Sequence, residues 1–220
     1  MSERLITLTT GEYYHVYNRG NSKQIIFLDN HDKMRFIKLL LIMNQTSRKR
    51  LADISKHNIF LKPADPLVAI GAYVIMDNHY HILLQQLQDD GVTKFMQKVG
   101  TAYSGYFNKK YKRSGSLYES KFKSRHIDND IYFKYLYSYI HLNPAKIINQ
   151  NWKKEILSKG KQDEILIFLQ GYKYSSFMDY MGIQRPENSL LQISNFPPFF
   201  KTKKDNLKNI INWLSLGGQI

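Results

Sequence analysis

The sequence predicts an α+β fold: a ferredoxin-like antiparallel sheet with helices packed on one face, followed by a C-terminal accessory segment. Three observations point to it. Residues 13–18 alternate in the manner of a strand. Two strand-forming runs, at 67–76 and from 79 onward, are separated only by Asp77 and Asn78. Longer segments between the strands repeat their apolar residues at helical spacing. The resulting order is strand, helix, strand, strand, helix, strand, helix, which suits an antiparallel sheet covered by helices.

Each element has its own reason. Tyr13, His15 and Tyr17 alternate with Tyr14, Val16 and Asn18, and Asn18-Arg19-Gly20-Asn21 ends the run as a turn or loop. Met34, Ile37, Leu40 and Leu41 then mark a helix from about residue 31, with Asp29 or Asn30 able to cap it. Residues 46–66 read as a basic, irregular connection with room for short strand content. LVAIGAYVIM and HYHILLQQ, joined through Asp77-Asn78, predict a hairpin. Phe95, Met96, Val99, Ala102, Tyr103, Tyr106 and Phe107 give a second helix, starting near Gly91 or Thr93 and weakened slightly by Gly100 and Gly105. SLYESKFKSRHI, residues 116–127, alternates as a strand. Asp128 or Asp130 can cap a helix through YFKYLYSYIHL, which Pro144 ends. The expected division is a domain over residues 1–150 and an accessory segment over 151–220. That segment is punctuated by Pro186, Pro197 and Pro198 and holds a short helix in DNLKNIINWLSL.

Composition narrows the function. The chain has 220 residues and no cysteine, which excludes a disulfide scaffold, a thiolate zinc site and a thiol nucleophile. It contains no apolar run of ~18 residues, so no membrane span is expected, and its N-terminus lacks a signal-peptide layout. A soluble intracellular protein is the expectation. The formal net charge of +14 favours a polyanionic partner, and 16 Tyr with 12 Phe provide faces on which unpaired bases can stack.

Two pairs of residues can do chemistry. His79 and His81 lie at i and i+2 of a strand, on one face, where two imidazoles can converge on one metal ion. Tyr139 and Asn143 lie at i and i+4 of a helix, again on one face. If that helix crosses the histidine face, Asn143 can supply a third ligand, with Tyr139 one helical turn away. A divalent ion there polarises a phosphodiester, and the tyrosine oxygen is a covalent nucleophile. The product of such a site would be a 5′-phosphotyrosine linkage with a free 3′-hydroxyl. Residues 109–125 hold Lys109, Lys110, Lys112, Arg113, Lys121, Lys123 and Arg125 against Glu119 alone. On a strand, Lys121, Lys123 and Arg125 would share a face able to track a sugar–phosphate backbone. Asn18, Arg19 and Asn21 form a polar loop able to reach bases or phosphates. Arg48, Lys49 and Arg50 read as a surface patch without a site.

Five ordered runs give the chain a resemblance: YYHVYNRGNSKQIIF, AYVIMDNHYHILLQ, YFNKKYKRSGSLYESKFKS, YIHLNPAKI and YKYSSFMDYMG. Spread over about residues 13–182, they resemble the IS200-like single-tyrosine transposases of the HUH superfamily, especially the REP-associated tyrosine transposases. The resemblance implies a ferredoxin-like fold and metal-dependent cleavage and joining of single-stranded DNA, usually beside a hairpin. It implies metal-binding roles for His79 and His81, the nucleophile role for Tyr139, and a third polar ligand at Asn143, where insertion-sequence relatives tend to have Gln. From it follow the remaining expectations: Mg²⁺ or Mn²⁺ as cofactor, a hairpin-bearing single strand as partner, action as a monomer or homodimer, and work on nucleoid DNA in a bacterial cytoplasm. The expected DNA-contacting residues are Asn18, Arg19, Arg113, Lys121, Lys123 and Arg125. The chain departs from the family pattern at Asp77, where Pro is common, and at Lys121, where Arg is common. Tyr135 is the second choice as nucleophile, whereas Tyr137 points elsewhere on the helix. Two rival readings are a domesticated hairpin-binding protein that no longer cuts, and an RNA-binding module on the same sheet.

Overall fold

The structure is a computed structural model, and it describes residues 7–47, 60–199 and 202–215. Arg48, Lys49 and Arg50, and most of the expected connection at 46–66, lie outside the described residues.

Four strands form one antiparallel sheet: β1 (Tyr13–Arg19), β2 (Val68–Ile75), β3 (His79–Gln86) and β4 (Lys123–His126). Their order is β2-β3-β1-β4, with every neighbour antiparallel. Helix α1 (Asn30–Ile42) connects β1 to β2, and α2 (Gly91–Lys110) connects β3 to β4. This is the ferredoxin-like arrangement the sequence predicts. Asp29 caps α1 by accepting from the Asp32 amide at 2.8 Å. The three-residue link Met76-Asp77-Asn78 closes the hairpin, with the Met76 amide donating to the His79 carbonyl at 2.8 Å. Asp77, the departure from the family pattern, makes an ion pair of 2.7 Å with Lys33 on α1.

Strand alternation sorts the side chains into two layers. Tyr14, Val16, Tyr80, Ile82 and Leu84 face α1 and α2, packing with Phe36, Phe95, Val99 and Tyr103 in the largest core cluster. The two crossover helices thus share one face. The opposite face is covered by α3 (Asp130–Leu142), which docks Phe133, Leu136 and Ile140 on Ala69, Ala72, Val74 and Leu83. Full burial of each such Leu or Ile contributes about 1.5–3 kcal/mol. Small residues in β2 let this layer approach closely. A Cβ on Gly71 would come within 2.8 Å of the Phe196 ring, and the β2–β3 register shifts at that point.

Two local expectations differ. β4 is four residues long rather than spanning 116–127; before it, Tyr118 makes only an isolated bridge with Gly20. The cap of α3 is Asn129, which accepts from the Tyr132 amide at 2.8 Å, rather than Asp128 or Asp130. After Pro144, the chain forms α4 (Ala145–Ile148), α5 (Lys159–Gly171), α6 (Phe177–Tyr180) and α7 (Lys203–Ser215). Trp152, Ile165, Leu169, Phe177, Ile210 and Leu214 gather with Leu142 and Ala145 into a third cluster beside α3. Among the described residues, no helix is long and apolar enough to cross a membrane.

Candidate active site

Between the sheet and α3 opens a cleft of about 510 Å³. Its floor comes from alternate residues of neighbouring strands. β1 directs His15 and Tyr17 into it, and β3 directs His79 and His81. β4 pairs with β1 so that Arg125 lies opposite His15 and Lys123 opposite Tyr17, which puts both cations on this face. Its roof is a stripe of α3 and the turn after it: Tyr132, Tyr135, Tyr139 and Lys146. Asn143 belongs to the same helical stripe and is buried beside His79.

The two predicted pairs meet. His79 Nε2 lies 3.3 Å from Asn143 Oδ1, and the Tyr139 hydroxyl lies 3.4 Å from His81 Nε2. All four residues come from one chain. The His79 and His81 rings stand edge to face, with centroids 5.1 Å apart. Burial pushes the His79 imidazole down to about 4, and burial followed by the neighbouring His15 and His79 holds His81 well below its ordinary value. Both rings are therefore neutral at neutral pH. Burial raises the Tyr139 phenol, and the nearby Asn143 amide partly offsets this.

His79 also reveals a mismatch that suits a cation. A neutral imidazole carries a single N–H. His79 Nδ1 is 2.6 Å from Asn78 Oδ1, while Asn78 Nδ2 donates to the Lys23 carbonyl at 3.1 Å, which fixes the amide with its oxygen toward His79. The proton therefore sits on Nδ1. That leaves Nε2 with a lone pair facing the Asn143 oxygen, another acceptor, while Asn143 Nδ2 is buried without a partner. A divalent ion between the imidazole nitrogen and the amide oxygen would use both lone pairs, so the donor set fits a metal. Among the described residues, no group of three or more His, Asp or Glu side chains could hold a metal ion.

The remaining expected residues divide. Arg19, Lys123 and Arg125 line the cleft. The Arg125 guanidinium lies 4.1 Å from the centre of the Tyr132 ring, and Lys123 pairs with Glu119 at 3.0 Å. Asn18 lines it too, but its amide is engaged, donating to the Ser120 carbonyl at 3.0 Å and accepting from the Arg19 amide at 2.9 Å. Lys121 is exposed before β4 and Arg113 packs over Phe107, and neither lines the cleft. Tyr135 sits between Tyr139 and Trp213, at 5.8 and 5.4 Å between ring centres. Tyr137 turns away, toward His141 and Tyr180.

Sequence reasoning missed His15, Tyr17, Asn78, Tyr132, Lys146 and Lys153 as neighbours of the site. Extending the Tyr139–Asn143 spacing by helical steps reaches Tyr132 and Lys146 directly. Lys153 lies 4.4 Å over the Tyr139 ring, and burial followed by Lys146 lowers its ammonium to about 8. No local pattern reveals that contact.

A family model described as "Transposase IS200 like" matches residues 13–143. The chain belongs to the IS200-like transposase family. That match spans β1 through Asn143, and so covers both sides of the cleft. Among solved structures, the chain is similar to a REP-associated tyrosine transposase bound to a REP hairpin. The TM-score is 0.52 and the identity 13%, covering 85% of this chain and 90% of the other. At that identity the likeness shows a shared fold. No curated protein matches the chain.

Proposed function

We propose that this protein is a metal-dependent single-stranded DNA endonuclease and strand transferase that acts near DNA hairpins through a 5′-phosphotyrosine intermediate. The observation that carries the reading is the meeting of Tyr139 with His81 and of Asn143 with His79 in one cationic cleft. The REP hairpin bound by the structural neighbour supports the choice of substrate.

His79, His81 and Asn143 would hold the cation, Mg²⁺ or Mn²⁺, which when bound stabilises charge on the phosphoryl oxygens. Arg19, Lys123, Arg125 and Lys146 draw the strand in by its phosphates. The Tyr132 and Tyr135 rings border the path to Tyr139, beside which unpaired bases can lie. The Tyr139 oxygen then forms a bond to phosphorus as the bond from phosphorus to the 3′ oxygen breaks. The phenolic proton is released and the departing 3′ oxygen takes one up, so the strand ends in a 3′-hydroxyl. Attack by a 3′-hydroxyl on the phosphotyrosine reverses the step and joins strands. Because α3 covers its own sheet, one chain can supply nucleophile and ligands together.

A nicking assay on a labelled single strand with a terminal hairpin tests this. Wild-type protein with Mn²⁺ should cut and form a covalent adduct. His79→Ala, His81→Ala or excess chelator should remove cutting while hairpin binding persists. Binding without cutting by the wild-type protein under all metal conditions would favour the silent hairpin-binding reading instead.

A further inference from the structure

His15 is absent from the proposed ligand set, yet it is the group that touches His81 most directly. Its Nε2 lies 2.9 Å from His81 Nδ1, the two rings stack at 5.0 Å, and each residue is 7% exposed. The contact crosses strands: His15 on β1 lies opposite Leu83, two residues from His81 on the same face of β3.

Two neutral imidazoles in such a contact share one hydrogen. If His15 donates through Nε2, the proton of His81 sits on its own Nε2, directed at Tyr139, and that ring has no lone pair for a cation. If His81 donates through Nδ1, its Nε2 is bare. The neighbouring ring already follows the second pattern, since Asn78 Oδ1 accepts the hydrogen bond of His79 Nδ1–H and Nε2 is left bare. Metal-binding histidines commonly give their other N–H to a fixed acceptor, which sets both tautomer and ring angle.

We propose that His15 is a positioning residue: it accepts the Nδ1–H of His81 and so holds His81 Nε2 ready for a divalent cation. The inference rests on the metal-site reading above and adds to it a residue from β1. His15 acts through His81 and contacts neither cation nor DNA in this role.

The test uses full-length, DNA-free protein. Long-range ¹H–¹⁵N NMR of the wild type should find His81 protonated at Nδ1; protonation at Nε2 overturns the proposal, whatever any variant does. Mn²⁺ titration should then show about 10–100-fold weaker binding for His15→Leu. His15→Gln, whose side-chain oxygen reaches to about the same place, should bind within a few-fold of wild type. Wild-type Mn²⁺ affinity in a folded His15→Leu also overturns it. His79→Ala and His81→Ala separate the two levels: if they lose Mn²⁺ while His15→Leu keeps it, only the role of His15 fails. If neither loses Mn²⁺, the metal-site reading fails with it.

Discussion

Replacing Asn143 with Leu should stabilise the metal-free protein while removing its response to metal. Asn143 is 1% exposed, its Nδ2 has no partner, and its oxygen faces the bare Nε2 of His79 at 3.3 Å. A buried polar group without a partner costs about 1–3 kcal/mol. Leu has the same branched outline and no polar atoms, so it relieves both the orphaned donor and the opposed acceptors. A gain of about 1 kcal/mol in a chain of this size raises Tm by about 2–4 °C. Wild-type protein should instead gain about 2.7 kcal/mol from a cation at one hundred times its Kd, and the Leu variant much less. Thermal melts of both proteins, in chelator and in Mn²⁺, measure the four values. A fall of several degrees for Asn143→Leu in chelator would refute the reasoning, because it would mean that the amide stabilises the fold through bonds of its own. An undiminished Mn²⁺ shift in the variant would refute its role as a ligand.

Three other outcomes follow from the cleft. Lys123→Ala with Arg125→Ala should weaken single-strand binding and reduce its salt dependence by about 0.7 in log–log slope for each phosphate no longer neutralised. Arg113→Ala and Lys121→Ala should leave both nearly unchanged, which titrations at several salt concentrations can check. Lys153 is charged below about pH 8 and loses its proton above it, so strand affinity should drop as pH rises through 8. Stability should move the other way, rising between about 8 and the ordinary lysine value of 10.5, where the unfolded chain binds the extra proton. Lys153→Arg should flatten the affinity profile. Tyr139→Phe should melt within about 3 °C of wild type, since it keeps the ring packed on His81 and Tyr135 and gives up only a 3.4 Å hydrogen bond. A drop of ten degrees would assign the hydroxyl a structural task instead.

Local periodicity accounts for what the sequence made legible. The i, i+2 spacing of His79 and His81 and the i, i+4 spacing of Tyr139 and Asn143 each fix a shared face without knowledge of the partner element. The link at Asp77-Asn78 likewise announces the β2–β3 hairpin from within. Contacts set by register were not legible. His15 meets His81 only because β1 pairs with β3 in one particular alignment, and Lys153 reaches Tyr139 only through the chain's return after α4. Charge counting over residues 109–125 correctly marked a basic region but could not sort it. β4 pairs for four residues, so Lys123 and Arg125 enter the cleft, while Lys121 and Arg113 fall in the approach to it. Beyond residue 150, α5 shows no clean helical stripe: residues 165–169 are all apolar and Ile167 among them is exposed, so spacing does not single out the buried face of Gln162, Ile165, Leu166 and Leu169.

Peptide mapping by mass spectrometry, after wild-type protein reacts with a hairpin-bearing single strand in Mn²⁺, goes most directly to the chemistry. The account predicts a 5′-phosphorylated nucleotide remnant on Tyr139, and none when the strand is mixed with Tyr139→Phe. A remnant on Tyr135 or any other residue, or an adduct that survives the Phe substitution, would contradict it.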